Sequence, residues 1–203
     1  MKRAPIEVFS DWAENGRDIG MEKGHENSVT HMLNFATKGL NNFSFIDAGC
    51  GNGWAVRIIG NNPNCKKAIG IDGSKNMIKK AKDLDKKNTY IYSDLMKWKP
   101  KIKIDIVHSM EVFYYFQNPE KLIKHINRFW LKQGGRIIIG IDYYKENKAS
   151  HCWPEECGIS IMQLLSEKEW NSFFKIAGFK NVKSWRVGEK DNWSGTLVLT
   201  GTK

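Results

Sequence analysis

No apolar run in this chain approaches the roughly 20 residues that a membrane helix needs. Its opening, Met1-Lys-Arg-Ala-Pro followed by Ile6-Glu-Val-Phe-Ser-Asp, has no apolar stretch of the signal-peptide kind. Its four cysteines, Cys50, Cys65, Cys152 and Cys157, form no Cys-x-x-Cys pair. Cys50 also sits inside a glycine turn, where a disulfide is awkward. Together these point to a reducing, cytoplasmic setting and away from a disulfide scaffold. Repeats, low-complexity tracts and linkers are absent as well. At 203 residues the chain is long enough for one domain with a full core and short for two, so residues 1–203 are expected to form a single domain.

What is abundant is positive charge. The formal net charge is +10, which invites a nucleic-acid reading. The excess is mostly lysine rather than arginine, however, and is concentrated between Lys66 and Lys103 on helix and loop faces. Asn and Ile are frequent too, as in an AT-rich coding sequence. A solvated lysine surface is therefore preferred, with nucleic-acid docking kept as the alternative.

The most informative stretch runs from Phe43 to Gly60. An apolar strand ends at Asp47, and Gly49, Gly51 and Gly53 follow at alternate positions before the helical run Trp54-Ala-Val-Arg-Ile-Ile-Gly60. Strand, glycine turn and helix together describe a nucleotide-type cofactor site. A dinucleotide fingerprint would require a third glycine at position 54, which is tryptophan, so NAD is disfavoured. Two more acids end the next strands, Asp72 in Ala68-Ile-Gly-Ile-Asp72-Gly and Asp94 in Tyr90-Ile-Tyr-Ser-Asp94-Leu95. The first is spaced to accept ribose hydroxyls, and the second to accept from an adenine amine.

Apolar runs alternating with helical patterns argue for βα units and a parallel sheet. Strands are expected at 43–48, 67–71, 88–92, 104–109 and 135–141, with helices near 53–60, 74–84 and 118–132. Gly134-Gly135 reads as the stop after the last of these helices. Ser166 and Glu169 form a capping box for a further helix, and strands at 181–187 and 195–201 can pair antiparallel at one edge. Ahead of the core, Ile6–Gly20 and His25–Gly39 read as two helices joined by Met21-Glu22-Lys23-Gly24. Residues 1–40 are thus an expected helical cap, and the irregular residues 142–165 an expected lid.

These residues resemble the class I S-adenosylmethionine-dependent methyltransferases. The family's acid followed by Gly-x-Gly-x-Gly maps onto Asp47, Gly49, Gly51 and Gly53. The ribose acid maps onto Asp72, the adenine acid onto Asp94, and the motif after strand four onto Asp105-Ile-Val-His-Ser-Met-Glu111. The resemblance implies an α/β, Rossmann-like three-layer sandwich with a mostly parallel seven-stranded sheet whose last strand is antiparallel. It also implies S-adenosyl-L-methionine as cofactor, held by Asp47, Gly49, Cys50, Gly51, Asp72, Gly73, Asp94, Leu95, Ser109 and Met110.

Motifs for other acceptors are missing. No Asp/Asn-Pro-Pro-Tyr/Phe follows strand four, no cysteine lies beside proline, and there is no glutamate pair of the arginine-methylating kind. What remains resembles the small-molecule methyltransferases, with a cationic amine suggested by aromatic rings near acids. Candidate catalytic residues are Glu111, His25 and Tyr115; candidate substrate contacts are Glu22, Tyr144 and Trp153, with Arg17 able to meet a carboxylate. No metal is expected: His151, Cys152 and Cys157 give three ligands at unusual spacing. Asp142 follows strand five, but Met110 does not ligate magnesium. The alternatives are an RNA or protein methyltransferase docking through the lysines, and a non-catalytic module that binds the cofactor. No membrane partner is expected.

Overall fold

A computed structural model describes residues 2–203. Seven strands form one sheet in the order β3-β2-β1-β4-β5-β7-β6. They are β1 (Phe43–Ala48), β2 (Cys65–Asp72), β3 (Thr89–Tyr92), β4 (Ile104–Met110), β5 (Leu131–Ile141), β6 (Lys180–Val187) and β7 (Thr196–Thr202). The first five run parallel, whereas β7 lies antiparallel between β5 and β6. This is the mostly parallel sheet, with an antiparallel last strand, that the motif resemblance implies.

Side-chain alternation divides each central strand between two cores. Phe45, Ile106, Ile138 and Val198 face helices α2 (Arg17–Thr37), α3 (Trp54–Gly60) and α4 (Lys75–Leu84). Ile46, Val107, Ile137, Ile139 and Leu199 face α5 (Pro119–His125) and α7 (Glu167–Ile176), whose Trp170 and Phe174 are fully buried. With both faces covered, β1 has no exposed residue, and Ser44 and Asp47 are the polar side chains buried along it. Burying each large apolar side chain stabilises the sandwich by about 1.5–3 kcal/mol.

Two local expectations are corrected. The break between the N-terminal helices is at Gly16, at φ 73°, and separates α1 (Pro5–Asn15) from α2. Met21 to Gly24 lie inside α2, so His25 is interior to a helix rather than at its start. Gly20 and Gly24 each cost about 1 kcal/mol of helix propensity. Packing of Val29, Met32, Leu33 and Ala36 on the sheet outweighs that and carries the helix through. The second correction concerns Gly134-Gly135. The helix from Pro119 gives way at Ile126 to a π-helical turn, and β5 already begins at Leu131. Gly134, at φ 76°, serves a register shift within β5 and not a helix stop.

Residues 142–165 carry a short helix α6 (Trp153–Glu156) and join the N-terminal strap. Arg3 N–H donates to Gly158 O at 2.8 Å, and Ser160 N–H donates to Arg3 O at 2.9 Å. The capping box is present: Ser166 Oγ accepts from Glu169 N–H, and Glu169 Oε2 accepts from Ser166 N–H at 2.8 Å. Among the described residues no helix is long and apolar enough to cross a membrane.

Candidate active site

The carboxyl ends of β1, β2 and β3 meet at the glycine turn. Gly49 and Cys50 N–H groups both donate to Ile71 O, at 2.7 and 3.0 Å, folding the turn onto β2. Gly49 sits at φ 78°, and a Cβ there would come within 2.3 Å of Val112 Cγ2. Glycine is required there by both backbone and space. Gly51, at φ 52°, donates its N–H to Asp72 Oδ2 at 2.9 Å, while Ser74 N–H donates to Asp72 Oδ1 at 2.7 Å. Burial raises the Asp72 carboxyl to about 6; the two N–H donors oppose that shift and the charge of Asp47 adds to it. Asp94, less buried, accepts from Met96 N–H at 2.8 Å.

A cavity of about 350 Å³ runs from these acids towards the tip of β4. Asp72, Gly73, Asp94 and Leu95 line one end; Met110, Glu111, Tyr115 and Phe116 line the other. Ala4, Pro5, Ile6 and Phe9 of the N-terminal segment and Ile161 of the 142–165 segment also border it. A smaller cavity, about 70 Å³, adjoins it beneath α2, lined by Asp18, His25, Asp47, Asn52 and His108. Gly49, Gly51, Met110 and Glu111 border both. In the smaller one His108 Nδ1 lies 2.8 Å from Asp47 Oδ1, and Asp18 pairs with Lys80 at 2.7 Å.

At the β4 and β5 tips three ionisable side chains converge. Glu111 is buried and takes φ 60°, rare for a residue with a side chain. Its Oε1 accepts from Asp142 N–H at 2.5 Å and its Oε2 from Tyr114 O–H at 2.6 Å. His25 Nε2 lies 3.3 Å from Asp142 Oδ2, and Asp142 Oδ1 is buried with no partner. Burial, then the charge of Asp142, pushes the Glu111 carboxyl up to about 8. Burial pulls His25 down, but its hydrogen bond to Asp142 and the charges of Glu111 and Asp142 outweigh that and raise it. The cluster is short of positive charge.

A family model described as a methyltransferase domain matches residues 14–184. The chain belongs to the S-adenosylmethionine-dependent methyltransferases. A chain of the complex between the Haloferax volcanii Trm112 methyltransferase activator and a methyltransferase superposes with TM-score 0.86 at 26% identity, covering 100% of this chain and 99% of that one. The N-methyltransferase NodS of Bradyrhizobium japonicum, solved with S-adenosylhomocysteine, gives TM-score 0.67 at 15% identity, covering 87% and 86%. Malonyl-[acyl-carrier protein] O-methyltransferase 2 of Ilyobacter polytropus is 35% identical over 115 residues, 53% of this chain and 44% of that protein. The chain therefore spans less than half the length of that curated relative.

S-adenosylmethionine is the cofactor of this methyltransferase family, and the cradle fits it. The turn leaves no room for a Cβ at Gly49, and the ionisable acids of β2 and β3 border one continuous cavity. Of the residues singled out from sequence, Asp47, Gly49, Cys50, Gly51, Asp72, Gly73, Asp94, Leu95, Met110, Glu111, His25 and Tyr115 border the two cavities.

Others lie elsewhere. The Ser109 side chain donates to Ala48 O at 2.6 Å, facing away from the cavity side that His108 and Met110 occupy, because neighbours in a strand point oppositely; the contact expected at Ser109 was through its backbone. Glu22 faces Arg57 at 3.8 Å on the outer side of α2. Tyr144 O–H lies 3.0 Å from both Ser194 O and Gly195 O and is buried in the core. Trp153 stacks on Trp193 at 6.1 Å between centroids. Arg17 borders neither cavity; its neighbour Asp18 does. His151 and Cys152 are exposed at the surface, and all four cysteines are free thiols.

Asp18, His108, Asn52 and Asp142 escaped the sequence reading as site residues. Asp142 carried a signal, an acid directly after a buried parallel strand. Asp18 carried none, since a helix acid is unremarkable without its neighbours, and His108 lay within the motif of strand four without being singled out.

Proposed function

We propose that this chain methylates a small molecule, with an amine nitrogen as acceptor. The observation that carries this reading is the lining of the two cavities. It is roofed by α1 and the 142–165 segment, which act as cap and lid, and among the described residues it includes no lysine or arginine. A phosphate or carboxylate acceptor would meet no lysine or arginine there, and the two histidines, His25 and His108, already face Asp142 and Asp47. A cationic or neutral amine meets Glu111 and the rings of Phe9, Tyr115 and Phe116.

The cofactor supplies an electrophilic methyl group on a sulfonium, so its departure leaves a neutral thioether. The residues proposed to hold it are Asp72, accepting from ribose hydroxyls, Asp94 and Leu95 near adenine, and Asp47 with the glycine turn at the amino-acid end. Ionised Asp72 keeps lone pairs beyond those used by Gly51 and Ser74. Catalysis then rests on alignment and exclusion of water. Glu111, His25 and Tyr115 are the groups proposed to meet the acceptor. Tyr115 stands edge-on to Phe9 at 5.1 Å, which ties this end to the N-terminal cap.

The test is transfer of labelled methyl to panels of small amines, hydroxy and carboxylic acids, acyl carrier protein and RNA. Turnover of amines, insensitive to salt, is expected. Labelling confined to acids or RNA would sink the reading. A second reading, docking of a macromolecule through the lysine surface, draws on the net charge of +10 and on the likeness to a chain solved with a protein activator. It requires turnover that weakens steeply as salt rises.

A further inference from the structure

We propose that His25, Glu111 and Asp142 form a binding site for one divalent first-row cation at the acceptor end of the methyltransferase cavity. Three remote segments, α2 and the turns after β4 and β5, bring these side chains together, and one ligand-type atom from each lies within 4.8 Å of the others. His25 Nε2 and Asp142 Oδ2 stand 3.3 Å apart. That is the spacing of two neighbouring ligands each about 2.1 Å from a shared ion.

An independent observation points the same way. Asp142 Oδ1 is buried without any hydrogen-bond partner, in a residue 3% exposed. A buried carboxylate oxygen with no donor is costly unless a cation meets it. The outer contacts suit ligation as well. His25 presents Nε2 to Asp142 from within α2, a rigid element that fixes the ring's position. Tyr114 O–H steadies Glu111 through Oε2. Such partners orient metal-bound histidines and carboxylates.

One imidazole with two carboxylates suits Mn²⁺, Co²⁺ or Zn²⁺. Three protein ligands leave coordination positions open, and Glu111 and His25 border the cavity, so an acceptor group can complete the sphere. The role, though not the site, rests on the proposed amine acceptor. Carboxylates alone would hold that amine as ammonium, whose nitrogen has no free lone pair. A fixed cation favours the free base, the form that takes a methyl group. Sequence reasoning missed this because it looked for the ligand at Met110. The left-handed backbone of the next residue, Glu111, turns the acid inward.

The experiment is calorimetric titration of the EDTA-stripped chain, saturated with S-adenosylhomocysteine, with Mn²⁺, Co²⁺ and Zn²⁺ in turn. Uptake of one equivalent of at least one ion is expected, with a visible ligand-field band for Co²⁺. Asp142→Asn and His25→Gln should weaken it by about 100-fold, and Tyr114→Phe by about tenfold. S-adenosylhomocysteine affinity and thermal melting check that each variant folds. Where one does not, paramagnetic broadening of the His25 ring by Mn²⁺ in the wild-type chain decides instead. Absence of one-equivalent uptake for all three ions, unchanged uptake in folded Asp142→Asn and His25→Gln, or broadening centred elsewhere overturns the proposal. No acceptor is present, so this outcome is independent of the acceptor panel.

Discussion

The proposed donor end and the proposed acceptor end of the cavity are built differently. At the donor end, β1, β2 and β3 deliver Asp47, Asp72 and Asp94 to adjacent strand tips, and backbone N–H groups of Gly51 and Ser74 hold Asp72. Its parts are glycines and acids on rigid parallel strands. At the acceptor end, His25, Glu111 and Asp142 come from positions far apart in sequence and depend on one another for hydrogen bonds and charge. Backbone-built sites tolerate change in neighbouring side chains; sites made of coupled, buried side chains do not. The two ends should therefore respond to mutation in separable ways.

The largest effect is expected at the donor end. Gly49→Ala places a Cβ 2.3 Å from Val112 Cγ2 at φ 78°, so a loss of about 2–4 kcal/mol in stability is expected. S-adenosylhomocysteine binding should be lost with it, read by melting and calorimetry. Next, Asp72→Ala should weaken S-adenosylhomocysteine by about 1–3 kcal/mol through lost charge-assisted bonds. Unchanged binding would remove the ribose assignment.

The pH dependence sharpens the same point. The folded Asp72 carboxyl, near 6, lies above the ordinary value of about 3.9. This group therefore favours the folded, ligand-free chain below pH about 4 and loses that contribution as pH rises through 6. Donor affinity runs the opposite way, because the ionised form accepts the hydroxyls. It should fall by about tenfold per pH unit below 6, approaching a plateau near 4, and Asp72→Asn should flatten the profile.

At the acceptor end, Glu111→Gln should abolish turnover while leaving S-adenosylhomocysteine affinity within about threefold, a change under 1 kcal/mol. A matching loss of affinity would mean that the two ends are not separable. The smallest effect is expected at Tyr144→Phe. Its hydroxyl bonds only to backbone carbonyls of residues 194 and 195, so about 1 kcal/mol of stability should go and turnover should stay within twofold. A large loss of turnover would return Tyr144 to the site.

Legibility followed the same division. The strands, the capping box at Ser166 and the three acids at the strand tips were readable because each is a local pattern: an apolar run, a fixed offset, an acid closing a strand. Gly20, Gly24 and Gly134 were misread because a glycine says that a break is allowed, not that one occurs. Packing of α2 on the sheet decided where it fell. Tyr144 and Trp153 looked available for a ligand because aromatic rings read alike in sequence whether they face a cavity or the core.

By itself, the sequence determined the layer order, the glycine turn and the chemistry of the donor, since these follow from periodicity and from residues within a few positions of one another. Tertiary structure alone decided that His25, Glu111 and Asp142 share one buried space. Their meeting depends on how α2 crosses the sheet and on the backbone turn at Glu111, and their charges matter only once water has been excluded from around them.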